Sequence, residues 1–280
     1  MEMMGKWIIS FAFLLSACGS PVETPKGALV IIGGGSRPES IITRIIDESG
    51  IRNGGYGIVL PMSSETPDSS AYWAAEPFVA AGVSTLRGLH FVKGAVLDPA
   101  RIDSIRNAKL IYITGGDQAR FMDTAGGTEI VTAIADAYKA GAVVAGTSAG
   151  AALMCATMIT GNELRYPEYS STYKTIESNN METKSGLGLI DKVIIDQHFL
   201  IRSRHNRLLT AAIEFPNMKG IGIDESTAIV VRGYSAEVIG DSQVIVIENP
   251  SKSRQEKNGK LAAKGLVTSI YLAGEKFALN

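Results

Sequence analysis

The residues best equipped for chemistry are the pentapeptide Gly146-Thr147-Ser148-Ala149-Gly150, entered from the apolar run 142–145 and followed by Ala151-Ala152-Leu153-Met154-Cys155, a good helix opening. A Gly-X-Ser-X-Gly sequence between strand and helix is a nucleophile elbow. The tight turn strains the serine, and the small residues let the two backbones approach each other. The helix N-terminus behind it favours the negative charge that develops in acyl transfer. Without those flanks the pentapeptide is only a glycine-rich turn; the flanks make it a candidate active site.

A nucleophilic serine needs a base, and the base an orienting acid. Three histidines limit the search. His90 precedes Phe91-Val92 in an ordinary strand-like run, and His205 sits among Arg204, Asn206 and Arg207 on what reads as a polar helix face. His198 follows the run Val193-Ile194-Ile195 and the pair Asp196-Gln197, at the carboxyl edge where open α/β sheets collect ligands, and is the candidate base. Gly220-Ile221-Gly222-Ile223 likewise leads to Asp224-Glu225, of which side-chain alternation lets one face His198. The order serine, histidine, acid differs from that of the α/β-hydrolases and argues against a lipase or esterase. Two glycine-rich turns, 33–35 and 115–116, offer backbone donors to an oxyanion, so the N–H groups of Gly34, Gly116 and Ala149 are candidates. Gly33-Gly34-Gly35-Ser36 is neither GxGxxG nor a Walker A loop, which weakens a nucleotide-phosphate reading.

Elements that hold these residues are legible around them. Runs 28–32, 57–60, 110–113, 142–145 and 193–195 are apolar throughout, as in strands covered on both faces. Between them, 38–49, 71–81 and 129–140 have helical patterns of crossover length. The alternation predicts an α/β fold in three layers, α/β/α, with a mostly parallel sheet. From Ala228 onward two or three short strands with turn residues predict an antiparallel C-terminal extension at the sheet edge. The polar stretch 165–184 reads as a long loop or hairpin, of the kind that often edges an active site.

Composition narrows the classes. At 280 residues, 45% hydrophobic and 20% charged, the chain is neither fibrous nor intrinsically disordered. Lys and Arg number 27 against 28 Asp and Glu, a formal charge of -1, so no overall basic field exists to hold nucleic acid. Two cysteines and three histidines, with no CxxC or HExxH, make a disulfide scaffold or structural metal an unsuitable reading. The start reads as an address: Lys6, then the short apolar stretch 7–15, fits a secretory signal. Leu15-Ser16-Ala17-Cys18-Gly19-Ser20 resembles the lipobox of bacterial lipoproteins. This predicts a signal peptide over 1–17, lipidation of Cys18, a tether over 18–26 and one domain over 27–280, held at a bacterial envelope membrane. Cys155 would then be the remaining thiol, with no disulfide partner in its chain.

In order along the chain, Gly33-Gly34-Gly35, Thr114-Gly115-Gly116-Asp117-Gln118, Gly146-Thr147-Ser148-Ala149-Gly150, Asp196-Gln197-His198-Phe199, Arg202-Ser203-Arg204-His205-Asn206-Arg207 and Gly222-Ile223-Asp224-Glu225 resemble the cyanophycinases, a serine-peptidase family related to aspartyl dipeptidases. The resemblance implies a glutamine-amidotransferase-like fold, Ser148 as nucleophile, His198 as base and Glu225 as acid. It implies substrate contacts from Gln118, Asp196, Gln197, Arg202, Arg204 and Arg207, with neither metal nor organic cofactor. The implied substrate is cyanophycin, a polyaspartate with arginine on its β-carboxyl groups, released as β-Asp-Arg dipeptides. Arginine forks suit an aspartyl carboxylate, and Asp196 suits a guanidinium. The partner is thus a peptide or polymer rich in Asp and Arg; a homodimer is a compatible assembly. An aspartyl or isoaspartyl dipeptidase and a non-catalytic peptide-binding lipoprotein are the alternatives. The export signal departs from a family that acts inside the cell storing its polymer.

Overall fold

Runs that are apolar at every position fold into strands whose two faces serve two different cores. In β1 (Ala28–Ile32), Leu29 and Ile31 face one core while Ala28, Val30 and Ile32 face the other, and all five are fully buried. The computed structural model describes residues 24–280. Cys18, the signal peptide predicted over 1–17 and most of the predicted tether therefore lie outside the described residues.

After β1 the chain forms α1 (Glu39–Ser49), β2 (Gly57–Leu60), α2 (Pro67–Ala80), β3 (Leu86–Gly88), α3 (Pro99–Arg106) and β4 (Leu110–Ile113). Helices α4 (Gln118–Ala125) and α5 (Glu129–Ala140) lead to β5 (Val143–Thr147), which runs into the single turn α6 (Ala149–Ala152). The hairpin of β6 (Thr157–Glu163) and β7 (Met181–Ser185) follows, with the long loop 164–180 at its tip. Next come β8 (Val193–Gln197), α7 (His205–Glu214) and β9 (Lys219–Ile223). The last seven strands are β10 (Thr227–Arg232), β11 (Ser235–Gly240), β12 (Val244–Glu248), β13 (Gln255–Lys257), β14 (Lys260–Ala262), β15 (Val267–Tyr271) and β16 (Lys276–Ala278).

Eight strands make the central sheet, in the order β16-β11-β10-β1-β5-β4-β2-β3. Strands β1 to β5 are mutually parallel, and β10, β11 and β16 extend the β1 edge in antiparallel fashion. One face is covered by α1 and α2, through Ile41, Ile45 and Phe78. The other meets α3 and α5 through Ile102, Ile105, Ile130 and Ile134. This is the α/β, mostly parallel architecture that the alternation predicts.

One placement differs from the sequence reading. Strand β8, taken there as part of the same parallel sheet, belongs with β9, β12 and β15 to a second sheet of four strands. An apolar run shows that both faces are covered but not which neighbour supplies the hydrogen bonds. The second sheet lays Ile195, Ile221, Ile223 and Val246 into the core shared with the central sheet. Its outer face carries Ile245 and Ile247 against Leu208 and Ala212 of α7. The C-terminal strands are likewise divided: β10, β11 and β16 extend the central edge, while β12 and β15 build the second sheet.

Candidate active site

The register of the central sheet decides what surrounds Ser148. Strand β5 lies between β1 and β4, so the turn after β5 is flanked by Gly33-Gly34 after β1 and Gly115-Gly116 after β4. Ser148 has φ 54° and ψ -109°, a strained conformation for a residue with a side chain, of the kind active sites tolerate. The flanking glycines are steric requirements: a Cβ at Gly146 would lie 2.4 Å from the Gly150 carbonyl, and one at Gly150 would lie 2.5 Å from the Ile113 carbonyl.

His198 arrives from the end of β8 and Glu225 from the end of β9, so two sheets contribute to one site. Ser148 Oγ lies 2.8 Å from His198 Nε2, and His198 Nδ1 lies 2.5 Å from Glu225 Oε1. The carboxylate holds the Nδ1 proton, which leaves Nε2 as acceptor for the serine hydroxyl. His198 is buried and also left-handed, at φ 49°; its own N–H donates to the Gly33 carbonyl at 2.7 Å. Burial first, and then the charges of Arg202 and Arg204, push its pKa below the ordinary histidine value against the opposing pull of Glu225. The imidazole is thereby favoured in its neutral form, with Nε2 open to a proton.

Of the two acids after β9, Glu225 reaches the imidazole, whereas Asp224 turns its carboxylate to the backbone N–H groups of Leu200 and Ile201. His205 opens α7 with its ring 5.0 Å from that of Phe199, and His90 lies outside any strand, beyond the short β3. Gly34 packs against the imidazole, so closely that a Cβ there would come within 2.3 Å of His198 Cε1. Gly34 thereby seats the imidazole, and its own N–H has no protein acceptor among the described residues. The N–H groups of Gly116 and Ala149 have no protein acceptor among the described residues, and both border Ser148.

A cleft of about 230 Å³ opens from Ser148, lined by Gly116, Gln118, Thr160, Gly161, Asn162, Tyr169, Gln197, Arg202, Arg204 and Arg207. Gln118 begins α4 under the Asp117 cap, and its amide nitrogen donates to the Ile159 and Thr160 carbonyls at 2.7 Å each. With both amide protons engaged, its oxygen is the group left for a ligand N–H. Gln197 is engaged too, its carbonyl and side-chain oxygens accepting from Arg204 Nη1 at 2.6 and 2.7 Å. Burial and the neighbouring Arg207 charge pull the Arg204 pKa down to about 10, so it remains cationic at neutral pH.

Asp196 stands apart from the sequence reading. It is 1% exposed and grips Arg207 through both oxygens, to Nε at 2.8 Å and to Nη2, with Arg204 3.6 Å away. The role of meeting a substrate guanidinium does not fit this geometry, because its charge is already spent on Arg207 inside the protein. The pair has a consequence for the cleft: Arg207 is 2% exposed, and its Nη1 has no hydrogen-bond partner among the described residues. A buried guanidinium donor without a partner, on a residue that lines the same cleft as Ser148, is a group that calls for an acceptor.

Sequence reasoning missed the wall made by Thr160, Gly161 and Asn162 at the β6 hairpin. Tyr169 comes from the 165–184 stretch, whose length was the available signal. Cys155, just past the elbow, is fully buried and its thiol is pushed up to about 12 by burial, which removes it as a nucleophile.

An elbow serine hydrogen-bonded to a buried histidine, at the strand ends of an α/β sheet, is the constellation of a serine-type hydrolase. Peptidase family S51 matches residues 29–239, and the chain belongs to that family. It is 28% identical over 279 residues to a cyanophycinase of Nostoc sp. strain PCC 7120, covering 95% of this chain and 91% of the relative. It is 36% identical over 162 residues to a cyanophycinase of Geminocystis herdmanii, 57% of this chain and 56% of the relative. Among solved structures, a peptidase from an acI-B1 Actinobacterium shares the fold with a TM-score of 0.67 at 22% identity, covering 91% of this chain and 98% of that one.

Proposed function

We propose that this peptidase cleaves backbone peptide bonds of an arginine-bearing polyaspartate, cyanophycin, and releases β-Asp-Arg dipeptides. The observation that carries the reading is the line Ser148–His198–Glu225 opening onto a cleft walled by Arg202, Arg204 and Arg207. Ser148 attacks the carbonyl carbon while His198 Nε2 takes its proton, and Glu225 stabilises the imidazolium. The N–H groups of Gly116 and Ala149 receive the oxyanion. His198 returns the proton to the leaving amine and then activates the water that releases the acyl-enzyme. The unpaired Arg207 Nη1 binds an aspartyl carboxylate, and the Gln118 oxygen accepts an N–H of the bound chain.

Incubation of the purified protein with insoluble cyanophycin, and separately with β-Asp-Arg and α-aspartyl dipeptides, tests this with products read by mass. Release of β-Asp-Arg from the polymer is the expected result. Cleavage of dipeptides with the polymer untouched would make the enzyme an aspartyl dipeptidase, and no cleavage of either would return it to a peptide-binding lipoprotein. Export and anchoring through Cys18 form part of the same reading, supported by the lipobox-like residues 15–20. Fatty-acid labelling of the wild type but not of Cys18→Ser is expected, and an unlabelled wild type would remove the anchor.

A further inference from the structure

Two chain segments must be held in register for the His198–Glu225 contact to exist, and one side chain ties them together. Asp224, 8% exposed, directly follows β9 and precedes Glu225. Its Oδ1 accepts the N–H groups of Leu200 and Ile201 at 3.0 Å each. Those residues belong to a tight turn that begins at the left-handed His198: Arg202 N–H donates to the His198 carbonyl at 3.1 Å, and Arg204 N–H to that of Phe199 at 2.9 Å. The carboxylate thus caps, from another strand, the turn that presents both the base and the cleft arginines. Its second oxygen accepts the Ser242 hydroxyl at 2.7 Å.

Ser242 comes from the connection between β11 and β12, which the sequence reading treated as mere sheet edge. That connection closes round the acid turn. Ser242 N–H donates to Thr227 Oγ1 at 2.8 Å, Thr227 Oγ1 donates to the Glu225 carbonyl at 3.1 Å, and Asp241 N–H donates to the Ser226 carbonyl at 2.9 Å. Gly240 passes so close that a Cβ there would lie 2.3 Å from the Ser226 carbonyl.

We infer that Asp224, braced by Ser242, is a positioning residue that sets the distance between His198 and Glu225. The inference rests on the reading of His198 as the base for Ser148, and its test is independent of any substrate. A displacement of about 1 Å in such a constellation costs on the order of 10²-fold in rate. In Asp224→Ala, inactivation of Ser148 by an organophosphorus fluoride should slow by that factor, and the low-field proton resonance of the His198 Nδ1–H should shift upfield or vanish. Asp224→Asn keeps an oxygen where Leu200 and Ile201 need it, and neutral acceptors make weaker bonds, so it should label within roughly tenfold of wild type. A melting curve beside each rate separates positioning from loss of fold. Should Asp224→Ala not fold, Ser242→Ala carries the test: several-fold slower labelling at unchanged melting temperature supports positioning, and wild-type labelling overturns it. Asp224→Ala folded and labelling at the wild-type rate with its low-field resonance intact would also overturn it. A wild type that leaves Ser148 unlabelled would instead defeat the serine reading itself.

Discussion

Truncating Asp196 to alanine separates two roles that both predict weaker activity. If Asp196 touches substrate, its removal leaves the empty protein as stable as before, or more so. In the structure it is the counter-ion of Arg207, at 1% exposure against 2%. Deleting the anion strands a guanidinium that has lost its Nε and Nη2 partners as well as lacking one at Nη1. Breaking a buried ion pair from one side costs about 3–5 kcal/mol. Set against a usual total stability of about 5–15 kcal/mol, that is a large fraction. For a chain of this size it corresponds to a melting temperature lower by about 6–20 °C. Urea unfolding followed by circular dichroism measures it directly. Replacing the pair together, Asp196→Leu with Arg207→Met, should recover most of the stability, since apolar residues of similar volume avoid the desolvation penalty, yet leave activity lost. Unchanged stability in Asp196→Ala alongside a raised KM would refute the reasoning and return the carboxylate to the substrate.

Ser148→Ala removes one hydroxyl and should abolish hydrolysis with the fold retained; equal activity in the variant would end the proposed mechanism. Glu225→Gln should lower kcat by on the order of 10²–10⁴-fold, because the amide no longer selects the Nδ1–H tautomer, and should be more harmful than Asp224→Asn. The reverse ranking would move the acid. Because the base must be unprotonated and its pKa is depressed, kcat/KM should rise with pH through a limb centred below about 6.5, the ordinary histidine value. Arg202→Ala removes a charge that lowers that pKa, so its limb should move to higher pH; a shift to lower pH would contradict the assignment.

What the sequence made legible follows from how local each signal is. Strands 28–32, 57–60 and 110–113 and the helix 129–140 have the expected bounds because continuous burial or a helical stripe is written in adjacent residues. Helix α2 begins four residues before the expected Ala71, at Pro67, where proline at the first helical position was an available start signal. Helix α3 went unnoticed although Asp98 caps it through the Ala100 N–H. The nucleophile was readable because strand, elbow and helix are contiguous. Asp196 was not: a carboxylate at a strand end looks the same in sequence whether it faces a cleft or a buried arginine eleven residues on. Likewise, the loop holding Ser242 meets the acid turn only after β10 and β11 have formed their hairpin.

Placing the base beside arginines looks at first like poor design for a site that must generate an imidazolium. The free cleft does disfavour that cation, through burial and through Arg202 and Arg204. A carboxylate held beside Arg202 and Arg204 would offset the arginine part of that shift and leave the larger part, burial, in place. A neutral ligand of the same shape would leave the cations unscreened and the proton on Ser148 harder to remove. For the proposed acidic substrate this predicts that selectivity for an acidic chain appears in kcat as well as in KM, and equal kcat for acidic and neutral chains of the same length would refute it.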